Sequence, residues 1–290
     1  MELQPSPPSP LETQLSFRDY NQLTLTRNPI ALSDIVRHFN SHGIPCVAWG
    51  GSALDHYGIR SSSTTIPGHH IVVPDDVAEE AKEVLLTHPF LRPCPREDDG
   101  GCPDGGYQDK NPTLLAHRHY GRGPYTLKMS RQSDVLWALP RIPREFANPR
   151  GLTLPDEYIF TYDKSALPAP VHSRSGGWQS QEIHPVIIPR FHCYVESVMR
   201  VLARHMGFPS SSHAALAFEL SARALELGRN DAKLMDPVFY DLWVRAHRIE
   251  GRDLLPLYHE LTVALGEVWD LNRPHFQGRF SPPLSTKKLA

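Results

Sequence analysis

The run Asp75-Asp76-Val77-Ala78-Glu79 places three carboxylates within five residues, directly after the apolar stretch Ile71-Val72-Val73 and Pro74. In a helix opening at this point, Asp76 and Glu79 are three residues apart and share a face. Close carboxylates raise each other's pKa by repulsion, which suits one of them to accept a proton near neutral pH. A carboxylate there can equally hold a guanidinium in a bidentate pair. The same spacing is that of a capping box, in which acids satisfy the first backbone N–H groups of a helix and complement its dipole. A second candidate is Gly50-Gly51-Ser52. Two glycines before a helix let a phosphate approach backbone N–H groups at the positive helix end, although a tight turn also needs glycine for steric reasons.

A third candidate is the basic stretch from Lys110 to Arg150, which carries eight bases and two acids. Here His117, Arg118, His119, Tyr120, Arg122, Tyr125 and Lys128 interleave cations with aromatics, and Arg131 follows. RNA is held by such a mixture, through phosphate contacts and base stacking. The segment before it, Asp75 to Asp109, has ten acids and three bases, so a solvated loop that neutralises this acidic stretch is the competing reading.

Positioning these groups falls to a short series of elements. Leu32, Ile35, Val36 and Phe39 follow helical spacing, and Gly43 supplies the left-handed residue that ends a helix over 29–42. Cys46–Trp49 reads as a strand, Ser52–Tyr57 as a helix, Ile71–Val73 as a buried strand, and Pro74–Leu86 as a helix. Tyr125–Met129 and Asp134–Leu139 read as an antiparallel hairpin. Amphipathic segments near 190–205, 213–227, 237–249 and 253–271 predict a C-terminal helical bundle. The expected division is a disordered tail over 1–15, an α/β domain over 16–162, a linker or long loop over 163–185, the bundle over 186–273 and a tail over 274–290.

The chain has 290 residues and a formal net charge of −2, which speaks against a histone-like binder held by net charge. It shows no apolar run long enough for a membrane span and no secretory leader pattern, so a cytoplasmic protein without a membrane partner is expected. Cys46, Cys94, Cys102 and Cys193 form no C-x-x-C pair, so thiols rather than a zinc knuckle or disulfide scaffold are expected. Adjacent His69 and His70 point to opposite faces of a strand and do not converge on a metal. Ser52, Asp55 and His56 lack the G-x-S-x-G setting of a hydrolase nucleophile.

Taken together, Trp49-Gly50-Gly51-Ser52-Ala53-Leu54-Asp55-His56-Tyr57, Ser63-Thr64-Thr65 and Ile71-Val72-Val73-Pro74-Asp75-Asp76 resemble the core of the nucleotidyltransferase superfold over residues 29–90. That resemblance implies an α/β (α+β) fold, a mixed sheet with flanking helices. It also places the family's two metal carboxylates at Gly68 and His70, which cannot serve as hard oxygen ligands for magnesium, and its third acid at Asp134. No metal and no cofactor are therefore expected.

The Asp-Asp-x-x-Glu run resembles the required motif of fungal arginine-containing cyclodipeptide synthases, and Asp75, Asp76 and Glu79 match it residue by residue. That resemblance implies a tRNA-dependent enzyme that condenses arginine and a second amino acid from aminoacyl-tRNAs into a diketopiperazine. On this reading Asp75, Asp76 and Glu79 are catalytic, as proton acceptor and guanidinium partners, while Gly50, Gly51, Ser52, Arg118, Arg122, Lys128 and Arg131 bind substrate. The alternatives are a pseudo-enzyme that binds nucleotide or RNA, and a true nucleotidyl or aminoglycoside-type transferase.

Overall fold

A computed structural model describes residues 29–59, 68–94, 114–120, 126–170, 177–205, 233–248, 260, 261 and 263. Helix α1 (Pro29–Ser41) ends as its spacing predicts: Gly43 takes φ +75°, and the Ile44 N–H reaches back to the Phe39 carbonyl at 3.1 Å. Leu32, Ile35, Val36 and Phe39 are all buried. Strand β1 (Val47–Trp49) runs straight into α2 (Gly50–His56), so the two glycines begin the helix. Strand β2 (Gly68–Val73) is followed by a 3-10 turn over Asp75–Val77 and by α3 (Ala78–Thr87).

The main sheet is completed by β3 (Leu91–Arg92), β4 (Ala116–Tyr120) and β5 (Thr126–Arg131), in the order β1-β2-β5-β4-β3. Only β2 and β5 run parallel; the other neighbours are antiparallel. This is the mixed α/β architecture anticipated for a nucleotidyltransferase-like core. The expected hairpin over 125–139 is not formed. Strand β5 pairs with β4 and β2, and its continuation becomes the short helix α4 (Gln132–Val135). Gln132 explains the departure: its side-chain amide donates to the Pro140 carbonyl at 2.8 Å and accepts the Ile142 N–H at 2.8 Å, so the chain folds over its own side chain.

A ribbon of β6 (Tyr158–Phe160) and β7 (Ile187–Pro189) brackets the stretch expected as a linker. Beyond it, α5 (Phe191–His205) and α6 (Pro237–Arg248) are helical as the periodicity predicts. Tyr194 of α5 packs on Trp49 at 4.6 Å between ring centroids, and Phe191 meets both Tyr57 and the fully buried Trp243. The first turns of the C-terminal half thus cover one face of the sheet. The expected helix over 213–227, and that over 253–271 apart from residues 260, 261 and 263, lie outside the described residues.

Candidate functional site

Directly paired residues of neighbouring strands point to the same side of a sheet. Trp49 faces His70, His70 faces Lys128, and Lys128 faces His117, so these four form a row across one surface. Arg118 pairs with Leu127 and belongs to the opposite surface. Arg118 and Lys128 therefore do not form one phosphate-binding patch, because the basic stretch is strand rather than loop and the pleat separates its cations. Arg122 lies outside the described residues.

At the Gly50 end of the row, Ser52 and His70 are hydrogen-bonded within the fold. Gly50 takes φ +59° where an added Cβ would lie 3.5 Å from His70 Nδ1. Ser52, buried, accepts the His70 N–H at 3.3 Å and is hydrogen-bonded to His69 Nδ1 at 3.2 Å. The turn that resembles a phosphate cradle thus closes onto β2. His70 Nε2 is hydrogen-bonded to Ser130 Oγ at 2.8 Å, and burial, followed by the charge on Lys128, pushes its pKa down to about 3. Where the resemblance expects metal carboxylates, the chain has Gly68 and a neutral imidazole, with Lys128 across from it on β5. Asp134 stands in α4, past the far end of β5, and not beside them. On α2, His56 is buried, donates to the Gly177 carbonyl at 2.9 Å, and has its pKa pushed down to about 4 by burial.

The acidic motif sits at the other end of β2. Asp75 lies five positions beyond His70, about 16 Å at the rise of an extended strand. Glycine turn and carboxylates therefore do not share a site. The acids gather instead beyond the C-terminal ends of the parallel pair β2 and β5, the edge at which α/β sheets commonly bind ligands. Each has its own partner. Asp75 accepts the Ser133 N–H at 3.1 Å and the Ser133 hydroxyl, which caps α4 from 58 positions away in the chain. Asp76 pairs with Arg141 at 2.8 Å and with Arg144 at 3.6 Å. Glu79 pairs with Lys82 at 2.8 Å and with Arg131 at 2.9 Å.

These pairings reverse two expectations. Neither the 3-10 turn nor α3 receives a side-chain cap, so the motif is not a capping box. Nor are Asp76 and Glu79 driven up by repulsion: the Arg141 hydrogen bond holds Asp76 below the ordinary carboxylate range, and the Lys82 and Arg131 hydrogen bonds do the same for Glu79. Cations from β5 and from the segment after α4 outweigh the neighbouring carboxylate. Sequence reasoning missed Arg141 and Arg144 as members of this cluster, since only the fold of the chain around Gln132 returns them to Asp76.

Elsewhere the described residues form an open cavity of about 680 Å³ beside the β6–β7 ribbon, lined in part by Phe160, Tyr162, Lys164 and Trp178. None of the residues singled out from the sequence lines it. No helix among the described residues is long and apolar enough to cross a membrane.

No protein-family profile and no curated protein matches the chain. Among solved structures, the chain is similar to the solution structure of the antibiotic-resistance factor ANT(2'')-Ia, at 11% identity and a TM-score of 0.37, over 87% of this chain and 95% of that one.

Proposed function

We propose that the chain is a tRNA-dependent transferase that takes arginine from its aminoacyl ester and joins it to a second amino acid as a diketopiperazine. The observation supporting this reading is that Asp76 and Glu79 already hold three guanidinium groups, those of Arg131, Arg141 and Arg144, in exposed ion pairs at the strand ends. Such pairs contribute little to stability and exchange readily. A substrate guanidinium takes the place of Arg141 on Asp76, and the displaced arginines are then available for the phosphates of an acceptor stem.

Aminoacyl esters are already activated, so the protein supplies proximity and charge rather than nucleotide or metal chemistry. The neutral α-amine of one aminoacyl group attacks the ester carbonyl of the other, forming a peptide bond and releasing one tRNA 3′-hydroxyl. The remaining α-amine then closes the ring on the second ester and releases the second tRNA. Asp76 and Glu79, held charged, serve as guanidinium holders and are poor proton acceptors in the ligand-free chain.

The test is incubation of the full chain with charged tRNAs and mass spectrometry of the products, with Asp76→Asn and Glu79→Gln in parallel. An arginine-containing diketopiperazine whose yield falls roughly 10- to 100-fold in the variants, as loss of a charged hydrogen-bond partner implies, at unchanged melting temperature, is the expected result. RNA binding without product favours a binding protein, and a nucleotidyl product that needs magnesium at the Gly50 end overturns the reading.

A further inference from the structure

At the edge of the sheet away from β1, β3 and β4 pair antiparallel, with Leu91 opposite Tyr120 and Arg92 opposite His119. Continuing that register by two residues brings Cys94 opposite His117. His117 and His119 alternate with Arg118 along β4, so both imidazoles point to one side of the strand. The ligand atoms of Cys94, His117 and His119 all lie within 4.8 Å of one another, and all three side chains are buried. The two imidazole rings stand 5.5 Å apart, tilted at 69°.

We infer that Cys94, His117 and His119 form a binding site for a zinc-class divalent cation, independent of the acidic cluster at the ends of β2 and β5. The donor set decides the class. One thiolate and two neutral imidazoles are the ligands of Zn²⁺, whereas magnesium and calcium take oxygen, and these three residues offer none. Zinc has no geometric preference from its d electrons, so donors set by a strand pairing can hold it. Bond lengths of about 2.0–2.3 Å separate donors on one tetrahedral ion by roughly 3.3–3.6 Å. The present spacing closes to that by small side-chain rotations.

Binding balances simply. The Cys94 thiol loses its proton to solvent as the S–Zn bond forms, and each imidazole contributes one nitrogen lone pair, so a single proton leaves per ion. Three protein donors occupy three of the four tetrahedral positions. The ion ties β4 to Cys94, two residues past the end of β3. Its consequence is a firmer sheet edge, because a ligand that binds only the folded chain raises stability by mass action.

The experiment uses the full chain, stripped of metal under reducing conditions and titrated with Co²⁺ as a spectroscopic probe for zinc. One equivalent should give visible d–d bands of tetrahedral intensity together with a thiolate-to-cobalt charge-transfer band in the near ultraviolet. Zinc should bleach both bands, and one equivalent of zinc should raise the melting temperature. Cys94→Ser should abolish the charge-transfer band, and His119→Gln should lower cobalt affinity at least ~10-fold, as loss of a ligand demands. Circular dichroism of the metal-free variants separates loss of ligand from loss of fold. Absence of a thiolate band in the wild-type chain overturns the site without reference to any variant. Retention of that band in Cys94→Ser, or a protein that is copper-loaded and zinc-free as purified, overturns it as well.

Discussion

The two ends of β2 both gather polar side chains, to opposite effect. At the Gly50 end, polar side chains are buried and consumed by one another: Ser52 joins α2 to His69 and His70, and His70 joins Ser130. At the Asp75 end, Asp76, Arg141 and Arg144 are substantially exposed, and their pairs lie open to solvent. A buried hydrogen bond is costly to break because its groups would be left without water, whereas an exposed ion pair gives way to a competing ion at little cost. The turn that looks most like a ligand cradle therefore holds the sheet together, and the capacity to exchange partners resides in the charged cluster at the strand ends.

The largest effect that would break this contrast is at Gly68. Its φ is +113°, and an added Cβ would lie 1.9 Å from the Thr126 carbonyl oxygen. Gly68→Ala should cost about 4 kcal/mol or more, through overpacking and a backbone conformation that L side chains avoid. Urea unfolding that leaves the midpoint unchanged would show that the Gly50 end does not hold the sheet.

Buried and half-buried histidines give the next effect. Burial holds His56, His88 and His184 at about 4 and His70 at about 3, all below their unfolded value near 6.5. Because the unfolded chain takes up these protons first, their contribution is complete above pH ~6.5. It is lost as the pH falls toward the folded values, by up to ~1.4 kcal/mol per residue per pH unit. Melting temperature should decline steadily from pH 7 to pH 4.5. A flat profile would contradict the neutral state of these four histidines.

Ser52→Ala is smaller. It removes an acceptor for the His70 N–H and a hydrogen-bond partner of His69, and should cost about 1–2 kcal/mol in thermal unfolding. Loss of RNA binding at unchanged stability would instead make Ser52 a ligand contact.

The smallest stability change belongs to the acidic end. Asp75→Asn keeps an acceptor for Ser133 and should shift stability by only a few tenths of a kcal/mol, with Asp75→Ala costing about 1 kcal/mol. Neutralising Arg141 and Arg144 should leave melting within ~0.5 kcal/mol of the parent while reducing the salt dependence of RNA binding by about one unit per lost contact. Neutralising Arg118 and Lys128 together should not reduce it by two, because they occupy opposite faces. A two-unit change would place RNA on both.

Several features were legible without the fold because they rest on local rules. Helical periodicity and the Gly43 stop located α1, and the apolar run Ile71-Val72-Val73 located β2. The amphipathic segments near 190 and 237 became α5 and α6. Asp75, Asp76 and Glu79 were visible as a cluster by spacing alone. What their charges do was not visible, since Lys82 is a local cation on Glu79, while Arg131, Arg141 and Arg144 reach Glu79 and Asp76 from more than fifty positions away.

Tertiary structure decided the rest, for reasons of pairing. Strand register separated Arg118 from Lys128, and carried Gly50–Ser52 and Asp75–Glu79 to opposite ends of one strand. It also gathered Cys94 with His117 and His119, residues that no sequence spacing connects. Local sequence sets which segments coil and which extend, because that depends on neighbours three or four residues away. Which charges meet depends on contacts across tens of residues, and only the closed sheet specifies those.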